Sequence, residues 1–374
     1  ERVLLPERYT TLRLSGKTFL PLAPDRSFSG PKPVQRDDIL KQHVPGFQTY
    51  LNSAQRDTVR ELCDPNGSPA VIARLPTGGG KSLCYFLAAA HARAQGRPHT
   101  AIVVSPIVAL QNDQVLQVAE KLNAELDAKL RVAQINMTVP LETRRKVYTD
   151  LFHGDLHVLF LSPEKLLEPF FRETLLALAE KQWIGFLVID EAHIVPEWGR
   201  DFRTHYHRLG AIREELQKRC PAIRTLILSA TLTDASEKRV MEVLRLAEQD
   251  CKRITSPHVR REISIRVERH DTEDDKLDRL LAIAPHLPKP VIVYSNRKDT
   301  VRSIIRRMKA EGIYRCCDYT GSTPADGRLS RLQEFHRGDV HFVVGTNAFG
   351  LGIDKQNVRT VIHFDVPHSL DACY

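Results

Sequence analysis

The sequence predicts an α/β protein with two domains, each built on a parallel β-sheet that helices cover on both faces. Its 374 residues are enough for two domains of ordinary size. Short, continuous apolar runs alternate with longer segments of helical apolar spacing, a pattern typical of buried parallel strands joined by helices. The alternation breaks near residues 251–262 and then restarts. The break predicts a junction between the two domains.

The predicted elements follow one another in chain order. Residues 1–45 are rich in proline and are expected to form an extended N-terminal arm. The first domain, 46–255, is expected to have strands at 70–75, 101–104, 157–161, 186–189 and 225–228. The second domain, 256–374, is expected to have strands at 291–295, 315–319, 341–345 and 360–364. The sequence stops within this pattern, which predicts a part of a longer chain whose second domain is cut short.

Composition and charge exclude several classes of protein. Hydrophobic residues make up 42% and charged residues 27%, as in ordinary soluble globular proteins, and no apolar run reaches the ~18 residues of a membrane helix. None of the seven cysteines has the spacing of a zinc ligand, so we expect free thiols in a reducing cytoplasm and no structural metal. The net charge of +8 permits an anionic partner, but the basic residues are spread along the chain.

The segment PTGGGKS, Pro76–Ser82, is the strongest local signal of function. It follows a predicted strand and opens a predicted helix, where glycines let backbone N–H groups close around phosphate oxygens. Lys81 would contribute a positive charge to the terminal phosphates, and Ser82 would place a hydroxyl on Mg²⁺. The alternative is a glycine-rich turn without a ligand. The candidate nucleotide-binding residues here are Thr77, Gly78, Gly79, Gly80, Lys81 and Ser82.

A pair of carboxylates follows another predicted strand. Asp190 and Glu191 stand in VIDEAH, directly after the apolar run FLVI, and the carboxyl ends of parallel strands are where such sheets bind ligands. Asp190 can hold Mg²⁺ through water, and Glu191 can polarise the attacking water. An isolated Asp-Glu pair is usually a solvated loop, but together with the upstream glycine-rich segment it predicts a site for ATP and Mg²⁺.

Several segments together resemble the superfamily 2 helicases. They are PTGGGKS, VIDEAH, SPIVALQNDQV at 105–115, LSPEKL at 161–166 and LSAT at 228–231. Three longer stretches resemble the RecQ family within that group, namely TGGGKSLCY, DEAHIVPEWGRDFRTHY at 190–206 and GTNAFGLGIDKQNVRTVIHFDVP at 345–367. The resemblance runs from about residue 47 to residue 374. It implies two tandem RecA-like domains of the P-loop NTPase fold, with ATP in the cleft between them.

The resemblance implies an ATP-dependent DNA helicase that moves on single-stranded DNA, 3′→5′, and unwinds duplex DNA. Lys81, Glu191 and His193 are its implied catalytic residues, and Ser229 and Thr231 of LSAT would couple the two domains. By the same resemblance, ATP would be contacted by Gln55, Gly350 and Asp354, and the nucleic-acid strand by Ser105, Pro106 and Ser162.

The sequence departs from the RecQ pattern at several points. Asn52 and Gln48 stand where an arginine and an aromatic usually accompany the adenine-reading glutamine, so Tyr50 or Phe47 is expected to stack on the base instead. LSAT has a serine at 229 where RecQ proteins usually have threonine. The arginine-finger motif QxxGRxGR does not occur in the 374 residues, so the chain is expected to bind ATP but hydrolyse it poorly. No zinc site of the family is carried over.

Aromatic and basic side chains beyond VIDEAH are candidates for nucleic-acid contact. Trp198 and Phe202 stand four residues apart, next to Arg203, and aromatics among arginines can stack on bases and bind phosphates. Helical core packing is the alternative for the two aromatics. In the second domain, a group of residues follows strand ends, where plain turns and helix caps are the alternative. The group comprises Asn296, Arg297, Thr320, Gly321 and Thr346.

Two other functions fit the same motifs. An RNA helicase is favoured by the serine at 229, and ATPase stimulation by single-stranded DNA or RNA would separate the two. An ATP-gated nucleic-acid clamp that never unwinds is left open by the missing arginine-finger motif, although Lys81, Asp190 and Glu191 argue for a working site. The arm 1–45 and any region after 374 are the candidate surfaces for a protein partner. No membrane is expected, and the expected location is the cytoplasm, on the nucleoid in a bacterium.

Overall fold

The computed structural model describes most of the chain. The described residues are 12–14, 17–19, 32–76, 78–105, 111, 115, 123, 129–136, 139–195, 203–256, 266–346, 349 and 357–367. Within these ranges, every helix is too short or too polar to span a lipid bilayer.

The N-terminal segment forms short elements before the first large sheet. β1 (Leu12–Leu14) and β2 (Lys17–Phe19) pair antiparallel, as do β3 (Val34–Gln35) and β4 (Thr49–Tyr50). α1 (Asp38–His43) lies between β3 and β4, and α2 (Ser53–Cys63) follows β4. Leu40 and Val44 are fully buried in the same core as α2. The last part of the predicted arm, residues 34–44, therefore packs with the first domain instead of extending from it.

Within the described ranges, seven strands form one parallel sheet in the first domain. They are β5 (Ala70–Arg74), β6 (Thr100–Val104), β7 (Val132–Ile135), β8 (Val158–Leu161), β9 (Ile184–Ile189), β10 (Arg224–Ser229) and β11 (Cys251–Thr255). Their order across the sheet is β11–β5–β10–β9–β6–β8–β7. Five confirm predicted strands. The two that the sequence did not predict, β7 and β11, are the edges, where half-exposed residues replace the continuous apolar run of a buried strand.

Helices cover both faces of this sheet because alternate strand residues point to opposite sides. Val71 and Ala73 of β5 pack in one core with α1, α2 and α3 (Lys81–Ala94). Ile72 belongs to the core on the other face. The helices of that face are α4 (Leu141–Phe152), α5 (Pro163–Leu167), α6 (Pro169–Glu180), α7 (Arg203–Arg219) and α8 (Asp234–Leu244). Since all strands are parallel, their carboxyl ends meet at one edge of the sheet.

In the part of the second domain that the structure describes, four parallel strands form another sheet. They are β12 (Val291–Tyr294), β13 (Cys316–Tyr319), β14 (Phe342–Gly345) and β15 (Thr360–His363), in the order β13–β14–β12–β15. Helices α9 (Glu273–Ile283) and α10 (Lys298–Ala310) pack on one face, and α11 (Ala325–Arg337) contributes Phe335 to the other. These strands confirm the predicted ones.

Candidate active site

The described residues of the loop between β5 and α3 include two glycines of unusual backbone conformation. Gly78 and Gly80 both have a φ of 74°, a left-handed conformation that favours glycine. A Cβ at Gly80 would lie 2.2 Å from Nε2 of Gln55, so a larger residue would clash. α3 begins directly after Gly80, and among the described residues no side chain caps its first turn. The N-terminal end of this helix therefore offers backbone N–H groups to an anion.

Asn52 and Gln55 attach the start of α2 to this loop. Asn52 accepts from the N–H of Gln55 at 2.7 Å, and its Nδ2 donates to the carbonyl of Gly79 at 3.4 Å. Gln55 accepts from the N–H of Leu51 at 2.8 Å and donates to the carbonyl of Gly80 at 3.0 Å. Because only 1% of its surface is exposed, Gln55 must move to contact a base. Its predicted contact with adenine stays a prediction.

The expectation that Tyr50 could stack on the base is wrong. Its ring is fully buried, and its hydroxyl donates to Oδ1 of Asp37 at 2.8 Å. Nε of Arg60 lies 2.8 Å from the other carboxylate oxygen of Asp37, so the phenol belongs to a structural network. Phe47 is half-buried and packs against the same core, which leaves it as the aromatic candidate for the base.

Asp190 and Glu191 follow the carboxyl end of β9. The N–H of Asp190 donates to the carbonyl of Val104 at 3.0 Å, which keeps it in line with β6. Glu191 then adopts a left-handed φ of 49°, and its N–H donates to Oδ1 of Asp190 at 3.0 Å. Oε1 of Glu191 lies 2.8 Å from Nζ of Lys81. The two segments that the sequence singled out are therefore in direct contact.

Burial and neighbouring charges shift the pKa values of Lys81 and Asp190. Burial lowers the pKa of Lys81, but the carboxylates of Glu191 and Asp190 more than offset this, so its pKa is raised above the ordinary value. Burial raises the pKa of Asp190 to about 6, against the opposing effect of Lys81. A buried carboxylate of this kind is held in its charged form when a divalent cation binds beside it.

His193 connects the carboxylates to LSAT. Its Nδ1 lies 3.4 Å from Oε2 of Glu191 and 3.2 Å from Oγ of Ser229. Ser229 ends β10, and its Oγ also accepts from the N–H of Thr231 at 3.2 Å. Side chains from the phosphate loop and from the ends of β9 and β10 thus form a continuous set of contacts from Lys81 to Thr231.

These residues fit a nucleoside triphosphate with Mg²⁺. The loop offers backbone N–H groups and the ammonium of Lys81 to the phosphates. Ser82 and Asp190 offer a hydroxyl and a carboxylate, which are oxygen ligands that Mg²⁺ takes alongside water and phosphate. The side chain of Ser82 is hydrogen-bonded to the buried Tyr85. Glu191 lies beside them, where it could polarise a water molecule.

A cleft beside the phosphate loop places residues that the sequence did not single out next to Pro76 and Thr231. It has a volume of about 240 Å³, and its lining includes Arg74, Pro76, Thr231, Thr233 and Ser256. Arg74 pairs with Asp234 at 2.9 Å and with Glu237 at 2.6 Å. Glu237 also pairs with Arg253 of β11 at 2.6 Å. These charges are far apart in the chain and meet only in the folded protein, so no local motif marks them.

The two serines of the first domain that are predicted to contact nucleic acid are buried or hydrogen-bonded within the protein in this conformation. Ser105 follows β6 and is 1% exposed, and its hydroxyl has no hydrogen-bond partner among the described residues. The fully buried side chain of Gln111 donates to the carbonyl of Ser105 at 2.8 Å. Ser162 caps α5 by accepting from the N–H of Lys165 at 3.3 Å. Contact of Ser105 and Ser162 with nucleic acid stays a prediction.

The predicted group in the second domain divides by exposure. Asn296, Arg297 and Gly321 are exposed, and the side chain of Arg297 is 73% exposed. Thr346 is half-buried at the end of β14. Thr320 is 6% exposed, and its hydroxyl is hydrogen-bonded within its own turn. The exposed members of the group are therefore better placed to meet a phosphate than Thr320 is.

Other predicted site residues lie outside the described residues. They are Thr77, Pro106, Trp198, Phe202, Gly350 and Asp354, together with the side chain of Arg203. Their roles stay predictions from the sequence.

Comparison with known proteins identifies the family. The family model described as DEAD/DEAH box helicase matches residues 52–240. The model described as helicase conserved C-terminal domain matches residues 273–374. The first match includes the phosphate loop, the carboxylates and LSAT, and the second includes the four-stranded sheet.

The chain is similar to curated DNA helicases. It is 32% identical over 327 residues to the probable ATP-dependent DNA helicase RecS of Bacillus subtilis. This match covers 87% of this chain and 60% of that protein. It is 31% identical over 337 residues to the ATP-dependent DNA helicase RecQ of Haemophilus influenzae, which covers 90% of this chain and 49% of that protein. The chain thus spans about half the length of these two proteins.

Solved helicase structures share the fold. The DUF1998 helicase MrfA bound to DNA matches with a TM-score of 0.67 and 18% identity, over 92% of this chain and 46% of that chain. Mss116p bound to ssRNA and AMP-PNP matches with a TM-score of 0.66 and 18% identity, over 92% and 71%. With the two parallel sheets, these matches confirm the predicted RecA-like domains of the P-loop NTPase fold. Family models and relatives together show that the chain belongs to the DEAD/DEAH box helicases of superfamily 2 and has a RecQ-like core.

Proposed function

We propose that this chain is the ATP-driven motor of a RecQ-type DNA helicase. It would couple ATP hydrolysis to 3′→5′ movement along single-stranded DNA and to unwinding of duplex DNA. The observation that carries the proposal is the set of contacts from Lys81 through Glu191 and His193 to Ser229. It joins the candidate nucleotide site to the LSAT segment. The relatives named ATP-dependent DNA helicases support DNA as the substrate.

Lys81 would bind the terminal phosphates of ATP. Its ammonium now lies 2.8 Å from Glu191, so a phosphate would replace the carboxylate as its partner. Glu191 would then be available to take a proton from the attacking water. Mg²⁺, held by Ser82 and Asp190, would neutralise charge on the phosphates. ATP binding would thus convert a resting ion pair into a positioned base.

His193 and Ser229 would relay this change to the strand-binding parts of the motor. A shift of Glu191 alters its 3.4 Å contact with Nδ1 of His193. Because the same nitrogen contacts Ser229, and Ser229 holds the N–H of Thr231, the change reaches LSAT through adjoining contacts. When nucleic acid binds, stacking of Trp198 on a base would change the positions of the same carboxylates.

The test measures ATP hydrolysis by the full chain without nucleic acid, with a single-stranded DNA oligonucleotide and with RNA of the same sequence. We expect hydrolysis to be slow, as the absence of a QxxGRxGR motif from the 374 residues predicts, and to be stimulated more by DNA than by RNA. Lys81→Ala should abolish hydrolysis in all three conditions, because the ammonium contacts the phosphates in the ground state.

Each other outcome of this test points to a different function. Stronger stimulation by RNA would make the chain an RNA helicase, which the serine at 229 favours. ATP-dependent binding of DNA without any turnover would indicate a nucleic-acid clamp. Unwinding of duplexes with a 3′ or a 5′ single-stranded tail would then measure the polarity.

A further inference from the structure

The carboxylate of Asp365 ties together two loops at the carboxyl edge of the second sheet. Asp365 lies two residues after His363, the last residue of β15, and β15 pairs with β12 in parallel register. Oδ2 of Asp365 accepts from Oγ of Ser295 at 2.7 Å and from the backbone N–H of Asn296 at 2.8 Å. Ser295 and Asn296 begin the loop that leads from β12 into α10. One carboxylate oxygen therefore holds the first two residues of that loop.

The surroundings of Asp365 keep it charged. Burial by itself would raise the pKa of Asp365, but the hydrogen bonds from Ser295 and Asn296 and the nearby ammonium of Lys276 hold it below the usual range. Oδ1 of Asp365 lies 3.6 Å from Nζ of Lys276. The same ammonium lies 4.7 Å from the ring centroid of Phe364. The second oxygen of the carboxylate thus faces the ammonium of Lys276 in α9.

The loop held in this way is short and has solvent-facing side chains. Residues 295–297 separate β12 from α10. Ser295 is 1% exposed, and its N–H donates to the carbonyl of Gly345 at 2.9 Å. The N–H of Arg297 is directed to Oγ of Ser295 at 3.4 Å. Asn296 and Arg297 are the exposed members of the loop. Their backbone N–H groups are held by the carboxylate of Asp365 and the hydroxyl of Ser295.

We propose that Asp365 is a positioning residue for nucleic-acid binding, which holds the loop 295–297 in the conformation that meets a strand phosphate. The inference rests on the proposed function. A loop that is ordered before binding loses less conformational entropy when a strand arrives, and the affinity gains accordingly. Asp365 acts through Ser295 and Asn296 and does not touch the strand.

The sign of the effect separates this role from ordinary electrostatics. A carboxylate near a phosphate repels it, so removing the charge alone should tighten strand binding. Removing the hydrogen-bond acceptor should instead weaken binding because the loop loses its conformation. Asp365→Ala therefore has opposite expected effects under the two explanations.

The experiment compares three variants of the full chain by fluorescence anisotropy with a labelled single-stranded DNA oligonucleotide at fixed salt. Asp365→Ala should weaken binding on the order of tenfold, since it removes two hydrogen bonds. Asp365→Asn should bind within about twofold of the wild type, because an amide oxygen in place of Oδ2 keeps both bonds. The control Asp299→Ala removes an equal charge from a side chain that is 93% exposed in the first turn of α10. It should bind equally or more tightly.

A second readout distinguishes positioning from a loss of folding. The affinity for a fluorescent ATP analogue should be unchanged in all three variants, because the phosphate loop, Asp190 and Glu191 lie in the first domain and neither Asp365 nor Asp299 is a predicted ATP contact. If Asp365→Ala does not fold, Ser295→Ala takes its place, since it removes one of the two bonds and should weaken strand binding by a smaller factor.

Several results would overturn the inference. Binding by Asp365→Ala that is as tight as the wild type, or tighter, contradicts it. Equal loss in Asp365→Asn and Asp365→Ala contradicts it as well, because the amide preserves the acceptor. If the wild-type chain binds no oligonucleotide, the proposed function fails first and the inference fails with it.

Discussion

The carboxyl edges of the two sheets are built in different ways. At the edge of the first sheet, side chains at or beyond the ends of separate strands contact one another, from Lys81 through Glu191 and His193 to Ser229. At the edge of the second sheet, Thr320 bonds within its own turn. The loops there are joined by hydrogen bonds beneath the exposed residues, such as those that Asp365 accepts from Ser295 and Asn296.

The difference fits the role that we propose for each edge. Proton transfer and phosphate binding need charged side chains within hydrogen-bond distance of one another in a partly buried place. Binding along a nucleic-acid strand needs a row of backbone and cationic groups at the protein surface, and each of them contributes little to the affinity. Substitutions at the first edge should therefore cause large and specific losses, whereas those at the second edge should cause small and salt-dependent ones.

The largest expected effect is that of Glu191→Gln. Loss of the carboxylate should lower the rate of ATP hydrolysis by roughly 10²–10⁴, the usual contribution of a general base. The affinity for ATP should stay equal or increase, because the ion pair with Lys81 at 2.8 Å no longer competes with the phosphates. Nucleotide titration and single-turnover hydrolysis measure the two quantities. A loss of affinity as large as that of Lys81→Ala would contradict the role of Glu191.

The next effect concerns Gln55, which has two separable roles. Gln55→Ala should weaken both ATP and GTP, because its bond to the carbonyl of Gly80 is lost. If it also reads adenine, the loss for ATP should exceed that for GTP by about 1–3 kcal/mol. Asn52→Ala is the matched control, since Asn52 contacts the carbonyl of Gly79 and is not expected to reach the base. An unchanged ATP/GTP preference in Gln55→Ala would remove adenine recognition from this residue.

A smaller effect is expected at Ser229, where the nucleotide site meets LSAT. Ser229→Ala removes the contacts with His193 and with the N–H of Thr231. The ratio of DNA-stimulated to unstimulated hydrolysis should fall about fivefold, which corresponds to about 1 kcal/mol. Ser229→Thr keeps the hydroxyl and should retain most of the stimulation. Equal ratios in the wild type and Ser229→Ala would show that the contact does not transmit the signal.

The smallest effect tests the second edge. Arg297→Ala should weaken oligonucleotide binding about two- to threefold and reduce the slope of log affinity against log salt by about 0.7, the value for one single-strand phosphate contact. Its surface pairing with Glu273 at 3.5 Å contributes little to stability. Thr320→Val should leave both quantities unchanged, because the hydroxyl faces its own turn. A larger loss in Thr320→Val than in Arg297→Ala would reverse this view of the edge.

The sequence predicted the fold class and the buried strands because continuous apolar runs mark strands that are covered on both faces. It missed β7 and β11, since an edge strand keeps polar residues. It also assigned Lys81 and Glu191 to one predicted site, and the two side chains lie 2.8 Å apart in the structure. Parallel strands bring their carboxyl ends to one edge, so two motifs that each follow a strand must lie close together.

The sequence could not predict contacts that have no local pattern. Asp365 reaches Ser295 from 70 residues away, and Arg74 reaches Glu237 from 163 residues away. The aromatic choice at Tyr50 failed for a related reason. A tyrosine beside a nucleotide-binding segment is indistinguishable in the sequence from one that is buried, and its bond to Asp37 exists only in the folded protein.

The packing of Leu40 and Val44 against the first domain sets the limit to which the chain can be shortened. A protein that starts at residue 46 would lose Leu40 and Val44 from the core and Asp37 from the hydroxyl of Tyr50. A buried hydroxyl without its partner costs about 1–3 kcal/mol, and the uncovered faces of α2 and α3 would promote aggregation. Recombinant fragments of the first domain should therefore begin before Val34, and proteases should trim the native chain no further than that point.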